Sequence, residues 1–209
     1  MNLVANSCIG GYLYRLHNEA FGNPFMWAML QSDAMTQCIN KFNYVNWGHI
    51  KMEPDVSNPL TNRCTYNVIV DDSFTIHYTH YLRDEKYPRP TRIGVDVHGE
   101  KIENYIVEKY LSRCKRMCSA RTNPVFCILC AEFLRYDFSL DNTRRVLIET
   151  ENSPYHKILI TNHEELLDFQ SKTTHIFVDE HPVNQGKYNT KWFATEYYDK
   201  IMDIVSQSP

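Results

Sequence analysis

The second half of the sequence alternates short apolar runs with segments of helical periodicity. The apolar runs are PVFCILC (124–130), HKILITN (156–162) and THIFVDEH (174–181). A strand that is apolar along its length is buried on both faces, as in a parallel sheet between two layers of helices. Crossovers between such strands are right-handed, and ligands bind beyond the carboxyl ends of the strands. The pattern therefore predicts a three-layer α/β/α fold with a mainly parallel sheet.

Other segments have the periodicity of single elements. MNLVANS (1–7) predicts a short first strand, and GGYLYRLHNEAF (10–21) predicts a glycine-opened turn that leads into a helix. A second helix is predicted to begin at Ser32 or Asp33, and a third to cover about 101–118. A fourth is predicted to begin at a cap formed by Asp141 or Asn142. The last two predicted helices cover 163–170 and 189–207.

The middle of the chain, 46–100, is rich in loop-forming residues. Residues 46–64 contain several Pro, Asn and Gly residues and are predicted as loop. Two β-branched and aromatic runs on either side of an Asp-Asp-Ser triplet predict a hairpin or a pair of edge strands within 64–82. A chain of 209 residues has the size of one domain. We therefore expect a single α/β domain over 1–209, in which 46–100 forms an inserted lobe of strands and loops.

Charge and composition exclude several functional classes. The chain has 22 basic and 25 acidic residues, a formal net charge of −3, and no long run of either sign, whereas a nucleic-acid-binding surface needs a basic excess. No apolar segment reaches the roughly 20 residues that span a bilayer, and no basic leader precedes an apolar run. The seven cysteines are an odd set without regular spacing, which is typical of reduced thiols. We expect a cytoplasmic protein with no transmembrane segment and no nucleic-acid partner.

Cys8 is the candidate nucleophile. It follows the first predicted strand and precedes a glycine pair, so it is expected at the carboxyl edge of the sheet. A cysteine reacts as its thiolate, which a helix N-terminus or a protonated histidine stabilises. Gly10 and Gly11 would let backbone N–H groups approach a reacting carbonyl oxygen, as in an oxyanion hole. The alternative is a buried structural cysteine, since free cysteine is among the most buried residue types.

Two histidines on the predicted hairpin are candidate bases. His77 and His80 lie in the segment FTIHYTHYL, and on a regular strand their side chains point to opposite faces. A histidine can take the proton of a thiol, and Asp71 or Asp72 could orient its ring. Two half-buried histidines bonded to backbone groups are the structural alternative.

A second source of base is the segment VDEHP (178–182). Its Asp179 and His181 resemble the terminal Asp-His block of serine hydrolases and esterases of the lipolytic three-layer fold. In that family two residues separate the aspartate and the histidine, whereas one separates them here.

A metal site is not expected. Cys114 and Cys118 share a helix face, but Cys127 and Cys130 lie in an apolar strand where residues three apart point in opposite directions. Structural zinc needs convergent thiolates on tight turns. We therefore expect Cys127 and Cys130 in the core and no metal.

Three ordered segments of the first 90 residues resemble a known family. NSCIGGYLY (6–14), GNPFMWAMLQSDAM (22–35) and IHYTHYLRDE (76–85) are similar to the bacterial family of unknown function described as exopolysaccharide biosynthesis proteins. A more distant similarity is to the putative papain-like cysteine peptidase family, which has a Pro-Phe-Asp-Trp motif where this chain has PFMW. The exopolysaccharide family has an Arg-Arg pair after the His-Tyr element, whereas Arg89 and Arg92 are separated here.

The resemblance implies a role in making capsule, exopolysaccharide or O-antigen. Related capsule proteins with an early cysteine resemble coenzyme-A-dependent acyltransferases, which implies acetyl-coenzyme A as acyl donor and a sugar or polysaccharide precursor as acceptor. Cys8 would be the nucleophile and a histidine the base. The remaining implied substrate-binding residues are Asn6, Gly10, Gly11, Phe25, Trp27, Arg89 and Arg92.

Two other functions stay open. One is a cysteine hydrolase or peptidase of papain type, which would transfer the acyl group to water. The other is a non-catalytic sugar-binding protein of the same pathway, in which some of the 14 tyrosines and three tryptophans would stack on sugars. In that case replacing Cys8 would leave the biological activity intact.

Overall fold

The computed structural model describes residues 2–18, 24–25, 28–54, 66–78, 108, 110–117, 123–130, 138–181 and 189–208. The strands are β1 (Leu3–Ala5), β2 (Ala28–Met29), β3 (Ile50–Pro54), β4 (Tyr66–Val70), β5 (Phe74–Tyr78), β6 (Val125–Leu129), β7 (Lys157–Thr161) and β8 (Thr174–Val178). The helices are α1 (Ile9–Leu16), α2 (Ser32–Lys41), α3 (110–117), α4 (Leu140–Glu149), a 3₁₀ helix (Glu164–Phe169), α5 (Thr190–Glu196) and α6 (Tyr198–Gln207).

The central sheet is parallel, with strand order β1-β6-β7-β8. Every residue of β1, β6 and β7 is buried, which confirms the prediction from their apolar sequences. Their side chains alternate between two buried clusters. Leu3, Cys127 and Ile158 belong to the cluster that includes residues of α1, α5 and α6, whereas Phe126 and Ile128 belong to the cluster that includes residues of α2 and α4. Helices therefore flank the sheet, and the predicted three-layer fold is confirmed.

The second sheet is antiparallel, with strand order β2-β5-β4-β3. The predicted hairpin is present as β4 and β5, and Asp71 and Asp72 at its turn have φ angles of 48° and 50°. Asparagine and aspartate are the residues that most readily accept this left-handed conformation after glycine. Buried Val68 and Ile76 of this sheet share a cluster with Phe126 of the parallel sheet.

The loop prediction for 46–64 was wrong over Ile50–Pro54. These residues form β3, which pairs with β4 at five positions. The pairing supplies the backbone hydrogen bonds that hold this segment extended. Pairing with a distant strand is not visible in the local sequence. The Pro and Asn residues around this segment favour a loop, so the local pattern predicts one.

Three helices also differ from the prediction. Helix α1 begins at Ile9, so the glycine pair lies within its first turn and not before it. Helix α4 is capped by Ser139, whose Oγ accepts a hydrogen bond from the Asn142 N–H, and not by Asp141 or Asn142. The predicted closing helix is divided at Tyr197 into α5 and α6. Among the described helices, none is both long and apolar enough to cross a membrane.

Gly10 allows α1 to lie close to the parallel sheet. A Cβ atom at position 10 would be 3.0 Å from the Cβ of Ala5 in β1, which is too close for an ordinary contact. The missing Cβ at position 10 therefore lets α1 pack on β1 without displacing Ala5.

The side chain of Asn6 extends the parallel sheet beyond β1. Its Nδ2 donates to the Leu129 carbonyl oxygen at 3.0 Å, and its Oδ1 accepts from the Leu129 N–H at 2.9 Å. The Asn6 backbone oxygen accepts from the Leu30 N–H at 3.2 Å. Asn6 is fully buried, so water cannot replace these bonds. One residue thus joins β1, β6 and the segment that follows β2.

We predict that Asn6→Ala destabilises the fold strongly, because it leaves both the N–H and the carbonyl of buried Leu129 without their present partner. The expected loss is about 2–4 kcal/mol of the free energy of unfolding. Asn40→Ala is the control, because Asn40 also donates to a backbone oxygen, that of Glu149, but is exposed. Urea unfolding of both variants checks this, and equal losses would contradict it.

Candidate functional site

Cys8 lies at the carboxyl edge of the parallel sheet, at the N-cap position of α1. It is two residues beyond Asn6, and its side chain is partly exposed. The positive end of a helix dipole favours negative charge at this position. The strand, turn and helix therefore hold the thiol where an anion is favoured and where parallel sheets bind ligands.

Within the turn around Cys8, one of the two glycine N–H groups predicted to stabilise an oxyanion already donates a hydrogen bond. The Ile9 N–H donates to Ser7 Oγ at 3.4 Å, and the Gly10 N–H donates to the Ser7 backbone oxygen at 3.3 Å. The structure thus gives the Gly10 amide a partner within the turn. An oxyanion role for the Gly11 amide stays a prediction.

The other described cysteines are buried: Cys38, Cys114, Cys127 and Cys130. Burial raises the pKa of Cys127 to about 12 and that of Cys38 well above its ordinary value. Such thiols are poor nucleophiles at neutral pH. Cys8 is therefore the accessible thiol among the described cysteines.

We predict that iodoacetamide alkylates Cys8 before any of those four buried cysteines. Reaction of a buried thiol needs local unfolding, whereas Cys8 is partly exposed in the folded chain. Peptide mass spectrometry over a time course checks the order of labelling. Alkylation of Cys127 as fast as Cys8 in the folded protein would contradict the prediction.

His77 lies on β5 and is held by an asparagine. Its Nδ1 is 2.7 Å from Oδ1 of Asn67, the residue opposite it on β4. If the imidazole is neutral, this contact requires Nδ1 to carry the proton, so that Nε2 carries the lone pair. A histidine oriented by an asparagine amide is an arrangement used with cysteine nucleophiles.

The partners of Asp71 and Asp72, the candidates for orienting a histidine base, do not include His77 among the described contacts, and His80 lies outside the described residues. Asp72 forms an ion pair with Lys51 at 2.7 Å, and Asp71 bonds to the ring of His49 at 3.1 Å. The two aspartates lie at the hairpin turn, whereas His77 is the fourth residue of β5. Asn67 was missed, although the register of a hairpin centred on the Asp-Asp-Ser triplet would have placed it opposite His77.

A short chain of backbone pairs links His77 to the Cys8 end of β1. His77 is the register partner of Met29 in β2. The next residue, Leu30, donates to the backbone oxygen of Asn6. The strand that carries His77 is therefore joined to the edge at which Cys8 lies.

Asp179 and His181 follow the end of β8, as predicted. Oδ1 of Asp179 accepts from the backbone N–H of His181 at 2.8 Å and lies 2.9 Å from its Nδ1. Oδ2 accepts from the Tyr197 hydroxyl at 2.6 Å. Burial opposes ionisation of Asp179, but the bonds from Tyr197 and His181 outweigh it and hold its pKa below the ordinary value. The Tyr197 pKa is raised by burial and by the same carboxylate.

The strand order keeps this pair away from Cys8. β1 and β8 are the two edges of the sheet, three strand spacings or about 14 Å apart. The sequence offers His181 as a second base for Cys8, but the two residues follow strands at opposite ends of the carboxyl edge.

The remaining predicted site residues are core residues or lie outside the described part. Phe25 is 1% exposed and packs edge-on against Trp47 at 5.9 Å. Phe25 therefore has a structural role through this contact, and Asn6 has one through its hydrogen bonds. Contacts of Phe25 and Asn6 with a substrate stay predictions. The residues outside the described ranges are Trp27, His80, Arg89 and Arg92.

The candidate zinc ligands do not converge among the described residues. Cys127 and Cys130 belong to the two clusters on opposite faces of the sheet, as their spacing predicted. Within the described ranges, no group of three or more His, Cys, Asp or Glu side chains could hold a metal ion.

A histidine pair lies at the opposite, amino-terminal end of the sheet. The rings of His156 and His175 are stacked with an angle of 9° between their planes, and His156 Nδ1 lies 3.0 Å from His175 Nε2. One ring must donate to the lone pair of the other, so the contact requires at least one neutral ring. Burial lowers the pKa of His175, and the charge of His156 lowers it further.

We predict that this pair makes the fold less stable as pH falls. A histidine whose pKa is lower in the folded state contributes stability above its unfolded pKa of about 6.5, and that contribution is lost below it. The urea midpoint should therefore decline between about pH 7.5 and 5.5. His175→Gln should flatten this decline. Identical pH profiles for wild type and His175→Gln would contradict the assignment.

No family model matches the chain, and no curated protein is significantly similar to it. The resemblance to exopolysaccharide biosynthesis proteins therefore stays a prediction from the three sequence segments.

Proposed function

We propose that the protein is an acyltransferase of surface polysaccharide biosynthesis, in which Cys8 accepts an acyl group from acetyl-coenzyme A and passes it to a sugar hydroxyl. The observation that carries the proposal is the partly exposed Cys8 at the start of α1, while the other described cysteines are buried. The Asn-x-Cys-x-Gly-Gly opening and the Ile-His-Tyr-Thr-His-Tyr element support the sugar pathway. A cytoplasmic location is part of the proposal.

The first half-reaction forms a thioester on Cys8. The Cys8 sulfur attacks the thioester carbonyl carbon of the donor, the carbon–sulfur bond to coenzyme A breaks, and coenzyme A leaves with a proton. A helix N-terminus stabilises an anion by only about 0.3–1 kcal/mol, which is less than a tenfold effect. The thiol therefore needs a base in addition to the helix.

The base that we propose is His77. The contact to Asn67 holds Nδ1 as the donor, so that Nε2 can take the thiol proton. In the second half-reaction the same nitrogen takes the proton of the sugar hydroxyl. The sugar oxygen then bonds to the acyl carbon, and the carbon–sulfur bond to Cys8 breaks. His80 is the alternative base from the sequence.

We predict that intact-mass spectrometry after incubation with acetyl-coenzyme A finds one added acetyl group on wild type and none on Cys8→Ala. His77→Ala should slow acetylation by about 10²–10⁴-fold, the range for loss of a general base. Asn67→Ala should slow it less, because it removes only the orienting contact. His49→Ala is the matched control, because His49 is a hydrogen-bonded histidine near the hairpin turn.

Acetylation of Cys8→Ala to the same extent as wild type would contradict the proposal. Absence of an adduct on wild type, with no effect of coenzyme A on the melting temperature, would exclude acetyl-coenzyme A as the donor.

The second candidate function is a cysteine hydrolase. The His77–Asn67 contact favours it, because cysteine proteases of papain type use a Cys-His-Asn set. The two functions share the acyl-Cys8 intermediate and differ in whether a sugar or water accepts the acyl group. Release of free acetate that is unaffected by added sugars would favour the hydrolase.

A further inference from the structure

The Asp179–His181 pair has the geometry of an acid–base site of its own. Asp179 is 8% exposed, whereas the His181 side chain is 42% exposed, so a buried carboxylate orients a ring that solvent can reach. The carboxylate fixes the proton on His181 Nδ1, which makes Nε2 the basic nitrogen. We propose that His181 is a general base that removes a proton from a hydroxyl group, of water or of a sugar, independently of Cys8.

A comparison with the other described Asp–His pair supports this assignment. His49 and Asp71 are also within hydrogen-bond distance, but both side chains are substantially exposed, at 51% and 32%. Asp71 also accepts from the Asn46 N–H, so this pair ties the hairpin turn to the loop before β3. Asp179 instead lies at the carboxyl end of a parallel strand, where such sheets bind ligands.

The surroundings of His181 fit a hydroxyl-bearing ligand with an apolar face. The ring of Trp192 in α5 lies 5.5 Å from the His181 ring in an edge-to-face arrangement. Trp192 is partly exposed and packs against the buried cluster of α1, α5 and α6. A tryptophan ring beside a base offers an apolar surface for a sugar ring or an ester group.

Tyr197 completes the support of the pair. Its hydroxyl donates to the Asp179 oxygen that does not bond to the His181 ring. The carboxylate therefore has both oxygens engaged and cannot rotate away from the imidazole. When His181 takes a proton, the buried Asp179 carboxylate stabilises the imidazolium that forms.

The probe for this site is p-nitrophenyl acetate. His181 Nε2 takes the proton of water or of a sugar hydroxyl, and the oxygen bonds to the ester carbonyl carbon. The bond from that carbon to the p-nitrophenolate oxygen breaks. The products are acetate or an acetylated sugar, together with p-nitrophenolate, and the proton passes from His181 to the buffer.

The rate is measured in a Cys8→Ala background, so that no acyl-cysteine contributes. Adding His181→Ala should lower the p-nitrophenolate rate by about tenfold or more, at the low end of the range for a general base. Asp179→Asn should lower it as well, and His49→Ala should leave it unchanged. Adding glucose at high concentration distinguishes the two hydroxyl sources, since an acetylated sugar by mass spectrometry identifies sugar and its absence identifies water.

Equal rates for Cys8→Ala and the Cys8→Ala/His181→Ala double variant would overturn the proposal, whatever the result of the acetyl-coenzyme A experiment. Because Asp179→Asn removes a buried charge, its folding is checked by urea unfolding. Nitrogen NMR of the folded wild type provides a second test. A His181 ring protonated on Nδ1 at neutral pH is the expected result, and a ring protonated on Nε2 alone would exclude the base.

Discussion

The hydrogen bonds of Asn6 are the constraint on which the candidate site depends. The side-chain amide continues the β1–β6 ladder for one more pair, and the backbone oxygen fixes Leu30. All of these groups are buried, so an unpaired one would carry the full cost of desolvation. Cys8 follows two residues later in the chain, and β2 leads to β5 and His77. A single polar residue in the core thus joins the turn that carries Cys8, the proposed nucleophile, to the strand that leads to its proposed base.

The order of the strands separates the two proposed sites along one edge of the parallel sheet. Cys8 follows β1 and Asp179 follows β8, and these strands are the outer members of the sheet. The Asp179–His181 pair is therefore separate from Cys8, and different parts of the chain hold each of them in place. The turn into α1 holds Cys8, whereas Asp179 and Tyr197 hold the His181 ring.

The sequence predicted the parallel sheet because strands buried on both faces need apolar residues throughout, which is visible in a single segment. It predicted Cys8 and Asp179 at strand ends for the same reason. It did not predict β3, whose extended shape depends on pairing with β4. Asn67 was missed because its contact to His77 crosses a hairpin. Long-range pairing, which no local pattern contains, accounts for both omissions.

The partners of the two proposed bases match the acidity of the groups that they would deprotonate. A thiol gives up its proton near pH 8.5, so a base oriented by a neutral amide is sufficient, and the thiolate itself balances the imidazolium charge. His77 has such a partner in Asn67. A water or sugar hydroxyl is far less acidic, and where no thiolate is present the imidazolium formed beside it needs a permanent counter-charge. His181 has that counter-charge in buried Asp179. Attack through Cys8 therefore suits His77, because the thiolate balances the imidazolium in both half-reactions, and direct attack by a hydroxyl suits His181.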